Sequence, residues 1–152
     1  MALKEKLQSD LTQSMRDRNE LRSGTIRMVL TAIKNEEVSG KEARELSDAE
    51  VITVLSREAK KRREAAEAFE QAGAKDRADI EKAEGEIIAT YLPAQLGESE
   101  IKDLITAAIA VSGASGPQQM GLVMKSIQPK IAGRADGGLV SSLVKAALSG
   151  GN

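Results

Sequence analysis

Apolar residues recur along this chain with the period of an α-helix, and polar residues fill the positions between them. Leu3, Leu7, Leu11 and Met15 fall every four residues and predict one helix face. A second stripe, Leu21, Thr25, Met28, Val29, Ala32 and Ile33, runs through "ELRSGTIRMVLTAIKNEE". Gly24 inside it predicts a close helix crossing, because glycine weakens a helix by about 1 kcal/mol relative to alanine. The polar stretch "VSGKEAREL" separates it from a third helix, whose start is written in "LSDAEV". Ser47 as N-cap and Glu50 three residues later form a capping box, and Leu46 with Val51 can staple it. Behind that start Val51, Val54, Leu55, Ala59, Ala66 and Phe69 keep the period as far as Gly73. A fourth helix is predicted from about Asp76 to Tyr91, with Ile80, Ala83, Ile87 and Ile88 inward.

"TYLPAQLGESE" reads as a junction, since Pro93 biases Leu92 away from the helical region. Beyond it three shorter helices are predicted. One spans about Glu98 to Ser112 with Ile101, Leu104, Ile105, Ala108 and Ile109 on its inner face. The next restarts at Pro117, a favoured first helical residue, carries Met120, Val123, Met124 and Ile127, and is expected to end at Pro129. "KIAGRADGG" then leads to a last helix capped by Asp136 and built on Leu139, Val140, Leu143, Val144 and Leu148. The expected fold is therefore all-α. An N-terminal bundle of about four helices occupies residues 1–92, and a small three-helix tail domain occupies residues 93–152.

Composition narrows the chemistry. Of 152 residues, 41% are hydrophobic, with one Phe, one Tyr and no Trp, so the core must be aliphatic. The chain contains no Cys and no His, which removes thiol nucleophiles, imidazole bases, disulfides and the common zinc ligand sets. No metal and no cofactor is expected. No phosphate-loop, dinucleotide-binding or metalloprotease signature is present. "SSLVK" (Ser141–Lys145) sits on a predicted amphipathic helix without an oxyanion-hole segment, and the adjacent Glu36 and Glu37 read as a solvated helix end rather than an acid/base pair. No catalytic residue is assigned. No segment has signal-peptide or membrane-spanning character, and a cytoplasmic location is the expectation that follows.

The net charge of −1 offers phosphate no general attraction. Only 5 of the 22 basic and 4 of the 23 acidic residues follow Pro93, so the tail is the more neutral unit. In "SREAKKRREAAEAFE" the cations Arg57, Lys60, Lys61, Arg62 and Arg63 crowd two helical turns, but Glu64, Glu67 and Glu70 follow at once, which reads as a solvated helix face. Arg62 falls on the apolar stripe, where its stem can pack while its head reaches water. Single-strand stacking needs aromatics that Phe69 and Tyr91 cannot supply. What remains for nucleic acid is the backbone or shape of a structured RNA, held by Lys, Arg and helix N-termini. "PKIAGRADGG" is the place for it, with Lys130 and Arg134 on irregular backbone before a helix start. The alternative is a tight turn in which Arg134 and Asp136 satisfy local backbone groups.

At these residues the sequence resembles the GatB/YqeY family. "YLPAQL" (Tyr91–Leu96), "MGLVM" (Met120–Met124), Pro129–Lys130 and "GRADG" (Gly133–Gly137) resemble the tail domain of the B subunit of the tRNA-dependent amidotransferase. "LRSGTIRMVLTAIKNEE" and "REAKKRREAAEAFEQAG" are similar to free-standing YqeY-like members. The resemblance covers nearly the whole chain. It implies that Met120, Gly121, Pro129, Lys130, Gly133, Arg134, Asp136 and Gly137 matter, with Lys130 and Arg134 as phosphate contacts and the glycines setting backbone shape. With Lys125 on the preceding helix, the implied RNA-binding set is Lys125, Lys130, Gly133, Arg134, Asp136 and Gly137. Gly97, where a Ser or Thr cap is usual, and Gln128 before Pro129 depart from the family pattern. Carbon–nitrogen ligase chemistry with glutamine as amido donor belongs to the amidase and to the kinase-like cradle, and neither is present here. The resemblance thus implies a non-catalytic module for structured RNA, tRNA above all, in relation to tRNA-dependent amidation. A protein adaptor docking on an amidotransferase or an aminoacyl-tRNA synthetase is the other reading. Neither membrane nor DNA is an expected partner.

Overall fold

A computed structural model describes residues 2–150; Met1, Gly151 and Asn152, which the expected domain bounds include, lie outside the described residues. Seven α-helices and no strand occur among the described residues: α1 (Leu3–Arg16), α2 (Glu20–Glu37), α3 (Asp48–Gln71), α4 (Lys75–Ala89), α5 (Glu98–Ser112), α6 (Met120–Ile131) and α7 (Gly137–Leu148). The protein is all-α, as its periodicity predicts. The chain separates into two compact units, Met1–Leu92 and Pro93–Asn152.

The first unit closes on Leu7, Ile26, Val29, Ile33, Leu46, Val51, Val54, Leu55, Ile88 and Tyr91. The capping box forms at the start of α3: Glu50 N–H donates to Ser47 Oγ at 3.3 Å and Ser47 N–H donates to Glu50 Oε2 at 2.8 Å. Arg44 pairs with the same carboxylate at 2.8 Å, and these donors, Arg44 first, pull the Glu50 carboxyl down from 4.5 to about 2. Tyr91 seals the core with its ring, while its hydroxyl donates to Asp10 Oδ2 at 2.6 Å and Lys6 lies 5.3 Å above the ring. The hydrogen bond from Tyr91 and then that from Lys6 hold Asp10 below the usual carboxylate range.

Several expectations for this unit need correction. Ile80 is 52% exposed and Ala78 fully buried instead; residues two apart on a helix stand about 200° apart around its axis, so the face that buries Ala78 turns Ile80 outward. Gly24 is not at a crossing, since a Cβ there would meet nothing within 4 Å. Glycine meets a neighbouring helix at Gly85, where a Cβ would lie 3.6 Å from Arg62 Cβ. Met15 is largely exposed and Ser14 buried in its place, because the Ser14 and Ser23 hydroxyls bond across α1 and α2 at 2.8 Å. Glu37 is no solvated helix end. It is 4% exposed, and Lys4 Nζ donates to both its oxygens at 2.7 and 2.9 Å while Leu46 N–H donates to Oε2 at 3.2 Å. Nor does the head of Arg62 escape to water. It reaches Glu84, Glu81 and Glu58 at 3.3, 3.5 and 3.8 Å and ties α3 to α4.

The two helical hairpins of this unit turn differently. α3 and α4 are joined through Gly73 in the left-handed region (φ 76), where glycine carries no steric penalty. α1 and α2 are joined through Arg18, also left-handed (φ 56) and not a glycine. Arg18 N–H donates to Met15 O at 3.1 Å and Asn19 N–H to Ser14 O at 2.9 Å, the two bonds of a Schellman turn. An L side chain at such a position costs about 1–2 kcal/mol.

The second unit packs α5, α6 and α7 around Ile101, Ile105, Ala108, Val123, Ile127, Ile131, Val140, Val144 and Leu148. Pro117 opens a single 3-10 turn, Pro117–Gln119, that feeds α6. Pro129 does not end α6, which continues to Ile131. A proline in the last turn removes a single intrahelical bond, and the burial of Ile127 and Ile131 on either side of it offsets that loss. Asp136 caps α7, accepting from Leu139 N–H at 3.2 Å.

Candidate nucleic-acid interface

The segment between α6 and α7 is a clamp before it is anything else. Gly133 takes the left-handed conformation (φ 71), and this turns the chain so that Arg134 O accepts from Leu96 N–H at 2.8 Å. Arg134 Nε donates to Ala94 O at 3.0 Å and its Nη1 to Lys130 O at 3.4 Å. Gln95 Nε2 donates to both Pro93 O and Gly133 O at 2.8 Å. The "PAQL" and "GRADG" stretches, about 40 residues apart, thus satisfy one another's backbone. Arg134 and Asp136 serve local backbone groups, which is the turn reading of the sequence; Arg134 Nη2 has no hydrogen-bond partner among the described residues.

The residues singled out in the tail take different places. Gly133 is required by its φ. At Gly121 and Gly137 a Cβ would meet nothing within 4 Å, and neither adopts positive φ, so neither shapes the backbone. Lys125 and Lys130 are exposed on α6 and stand about 140° apart around its axis at 3.6 residues per turn. Lys130, Arg134 and Pro129 form one side of a groove of about 550 Å³, with Leu96 and Leu104 in it and Glu100 and Asp103 of α5 on its other side. Sequence reading missed those two carboxylates, because helix period alone does not tell which α5 residues border the α6–α7 turn.

Charge in the tail is divided by element. From α6 through α7, Lys125, Lys130, Arg134 and Lys145 stand against Asp136, whereas α5 carries Glu98, Glu100 and Asp103 against Lys102. The ion pair between Lys102 and Glu98, at 3.2 Å, stays within α5. No carboxylate lies within ion-pair distance of Lys125, Lys130 or Lys145 among the described residues. Ser141 and Lys145 make no hydrogen bond with each other; Ser142 Oγ donates to Gly138 O, and the Lys145 carbonyl accepts from Ser149. No helix is long and apolar enough to cross a membrane among the described residues.

An all-helical chain of two units, the second closed by a "PAQL"–"GRADG" clamp, defines a class. A model of the YqeY-like proteins matches residues 4–148, and the chain belongs to that family. It is 31% identical over 147 residues to the altered inheritance of mitochondria protein 41, mitochondrial, of Clavispora lusitaniae, covering 95% of this chain and 84% of the relative. The protein of the same name from Pyrenophora tritici-repentis is 29% identical over 133 residues, 86% of this chain and 71% of that protein. These names overturn the cytoplasmic expectation. It rested only on missing signals, which carry no positive information about compartment, and both relatives are named mitochondrial.

Proposed function

We propose that the protein is a non-catalytic module that binds structured RNA, tRNA above all, through its C-terminal unit, in relation to tRNA-dependent amidation. The observation that carries this reading is the division of charge in the tail, with exposed Lys125, Lys130 and Lys145 on α6 and α7 in no ion pair among the described residues while three of the four carboxylates lie on α5. Lysines without carboxylate partners keep their charge available to phosphates, and the aliphatic composition leaves no stacking platform for a single strand. Arg134 contributes chiefly by holding the turn.

The test is filter binding of bulk tRNA at near-physiological salt, with Lys125→Glu, Lys130→Glu and Lys145→Glu combined. Arg134 is left intact so that the clamp survives. Binding should fall by at least tenfold; tRNA affinity no better than that for a random duplex, or unchanged in the triple variant, refutes the reading.

The groove supports a second reading. Opposed cations and carboxylates around Leu96, Leu104 and Pro129 suit a protein segment better than a polyanion, as in an adaptor that docks on an amidotransferase or an aminoacyl-tRNA synthetase. Partners recovered from lysate after nuclease treatment would favour the adaptor, and partners lost with the RNA would favour the module.

A further inference from the structure

The corner between α1 and α2 carries a cavity of about 490 Å³ lined by Met15, Arg18, Glu20, Ser23 and Arg27. That volume accommodates a phosphate together with the group that carries it. Four arginines of this unit are paired with carboxylates: Arg22 with Asp10 at 3.5 Å, Arg44 with Glu50 at 2.8 Å, Arg57 with Glu36 at 3.0 Å, and Arg62 with three glutamates. Arg16, Arg63 and Arg77 are in no ion pair among the described residues, but at this corner two unpaired guanidinium groups line one cavity. Arg18 makes no hydrogen bond or ion pair through its side chain among the described residues. Arg27 Nη2 donates only to the Met15 thioether at 2.9 Å, a weak acceptor. Glu20 lines the same cavity and pairs with neither arginine.

Ser23 adds a floor that is polar and uncharged. It is 4% exposed, and its hydroxyl is held by that of Ser14. The backbone gives an independent argument. Arg18 occupies the left-handed position of the Schellman turn, where glycine would stabilise the fold. An arginine there presents a charge at the mouth of the cavity at the expense of stability, and strain of that kind gathers at functional positions.

The geometry points to a phosphate-binding site at this corner, with Arg18 and Arg27 as its two guanidinium ligands. Guanidinium forks match phosphate oxygens pairwise, and two of them exceed the single carboxylate of Glu20. The site belongs to the N-terminal unit and stands whether or not the tail binds RNA. Two sources share this chemistry: a phosphodiester of an RNA backbone and the phosphomonoester of a small molecule.

Thermal unfolding of the full chain, with and without inorganic phosphate at matched ionic strength, tests it in wild type, Arg18→Gly and Arg27→Gln. General salting-out acts equally on all three, so the difference between them isolates the site. Arg18→Gly should raise the phosphate-free Tm by about 2–5 °C through relief of the turn, yet lose most of the phosphate-dependent increment. Arg27→Gln should lose that increment without the gain. Each change should weaken phosphate binding by about tenfold, the usual worth of a hydrogen bond to a charged group. Equal increments in wild type and both variants overturn the site. Repeating the measurement with AMP and with bulk tRNA separates the sources: a site-dependent increment from AMP identifies a phosphomonoester, and one from tRNA alone identifies the RNA backbone. An increment from inorganic phosphate that neither reproduces marks an adventitious ion only, and also overturns the proposal.

Discussion

Individual residues in this protein do their work through the backbone groups they satisfy. Glu50 accepts from Ser47 N–H and from Arg44 together, and its carboxyl is held at about 2 against an ordinary 4.5. A folded-state pKa below the unfolded one contributes stability that is complete above 4.5 and lost as pH falls toward about 2. Glu50→Gln keeps an acceptor for the cap but has no charge to lose. The wild type should therefore melt above the variant near neutrality, and the two should converge as pH falls toward about 2 in a circular-dichroism melting series. Glu37 has the same sign, pulled down chiefly by its hydrogen bond from Lys4. The two residues differ in what the sequence reveals. Ser47 and Glu50 sit three apart and announce themselves, whereas the partners of Glu37 lie 33 and 9 residues away, beyond any local pattern.

At the level of elements, period fixes where helices run and only loosely which side they bury. Five of the helix starts and ends, Ser47, Gly73, Gly97, Gly113 and Asp136, are marked by residues whose backbone or side-chain chemistry suits a cap. The face of α4 was not legible, because apolar residues point in several directions and the choice falls to the helix that packs against it. Gly24 follows from the same gap: its neighbours in space cannot be counted from its neighbours in sequence. With no contact waiting for a Cβ, Gly24→Ala should stabilise the protein by about 0.5–1 kcal/mol in urea unfolding, as for any exposed helix interior. A destabilised variant would restore the crossing. Arg62→Gln should cost about 2 kcal/mol by leaving Glu58, Glu81 and Glu84 without their shared cation. Arg63→Gln on the exposed side of α3 should change stability by less than about 0.5 kcal/mol, and equal losses would show that the α3–α4 ion cluster contributes nothing.

For the whole molecule, the shift in composition at Pro93 coincides with the division into two aliphatic cores. The candidate interface was legible only in part: Lys130 and Arg134 could be singled out, but the clamp that occupies Arg134 joins residues 40 positions apart. The net charge of −1 leaves little long-range pull toward nucleic acid. If four cations of α6 through α7 carry the contact, log affinity for tRNA should fall with log salt at a slope no steeper than about −4, and the triple glutamate variant should flatten it. A steeper slope would require cations outside the tail. The division between an acidic α5 and a basic α6–α7 has a consequence of its own. Equal numbers of charges spread evenly would let the tail meet a polyanion in any orientation. Separated by element as they are, they make the two sides of the charge pattern unequal, so on the proposed RNA reading a polyanion would be turned toward α6 and α7 before any atom touches. A nearly neutral unit would then still select the direction of approach.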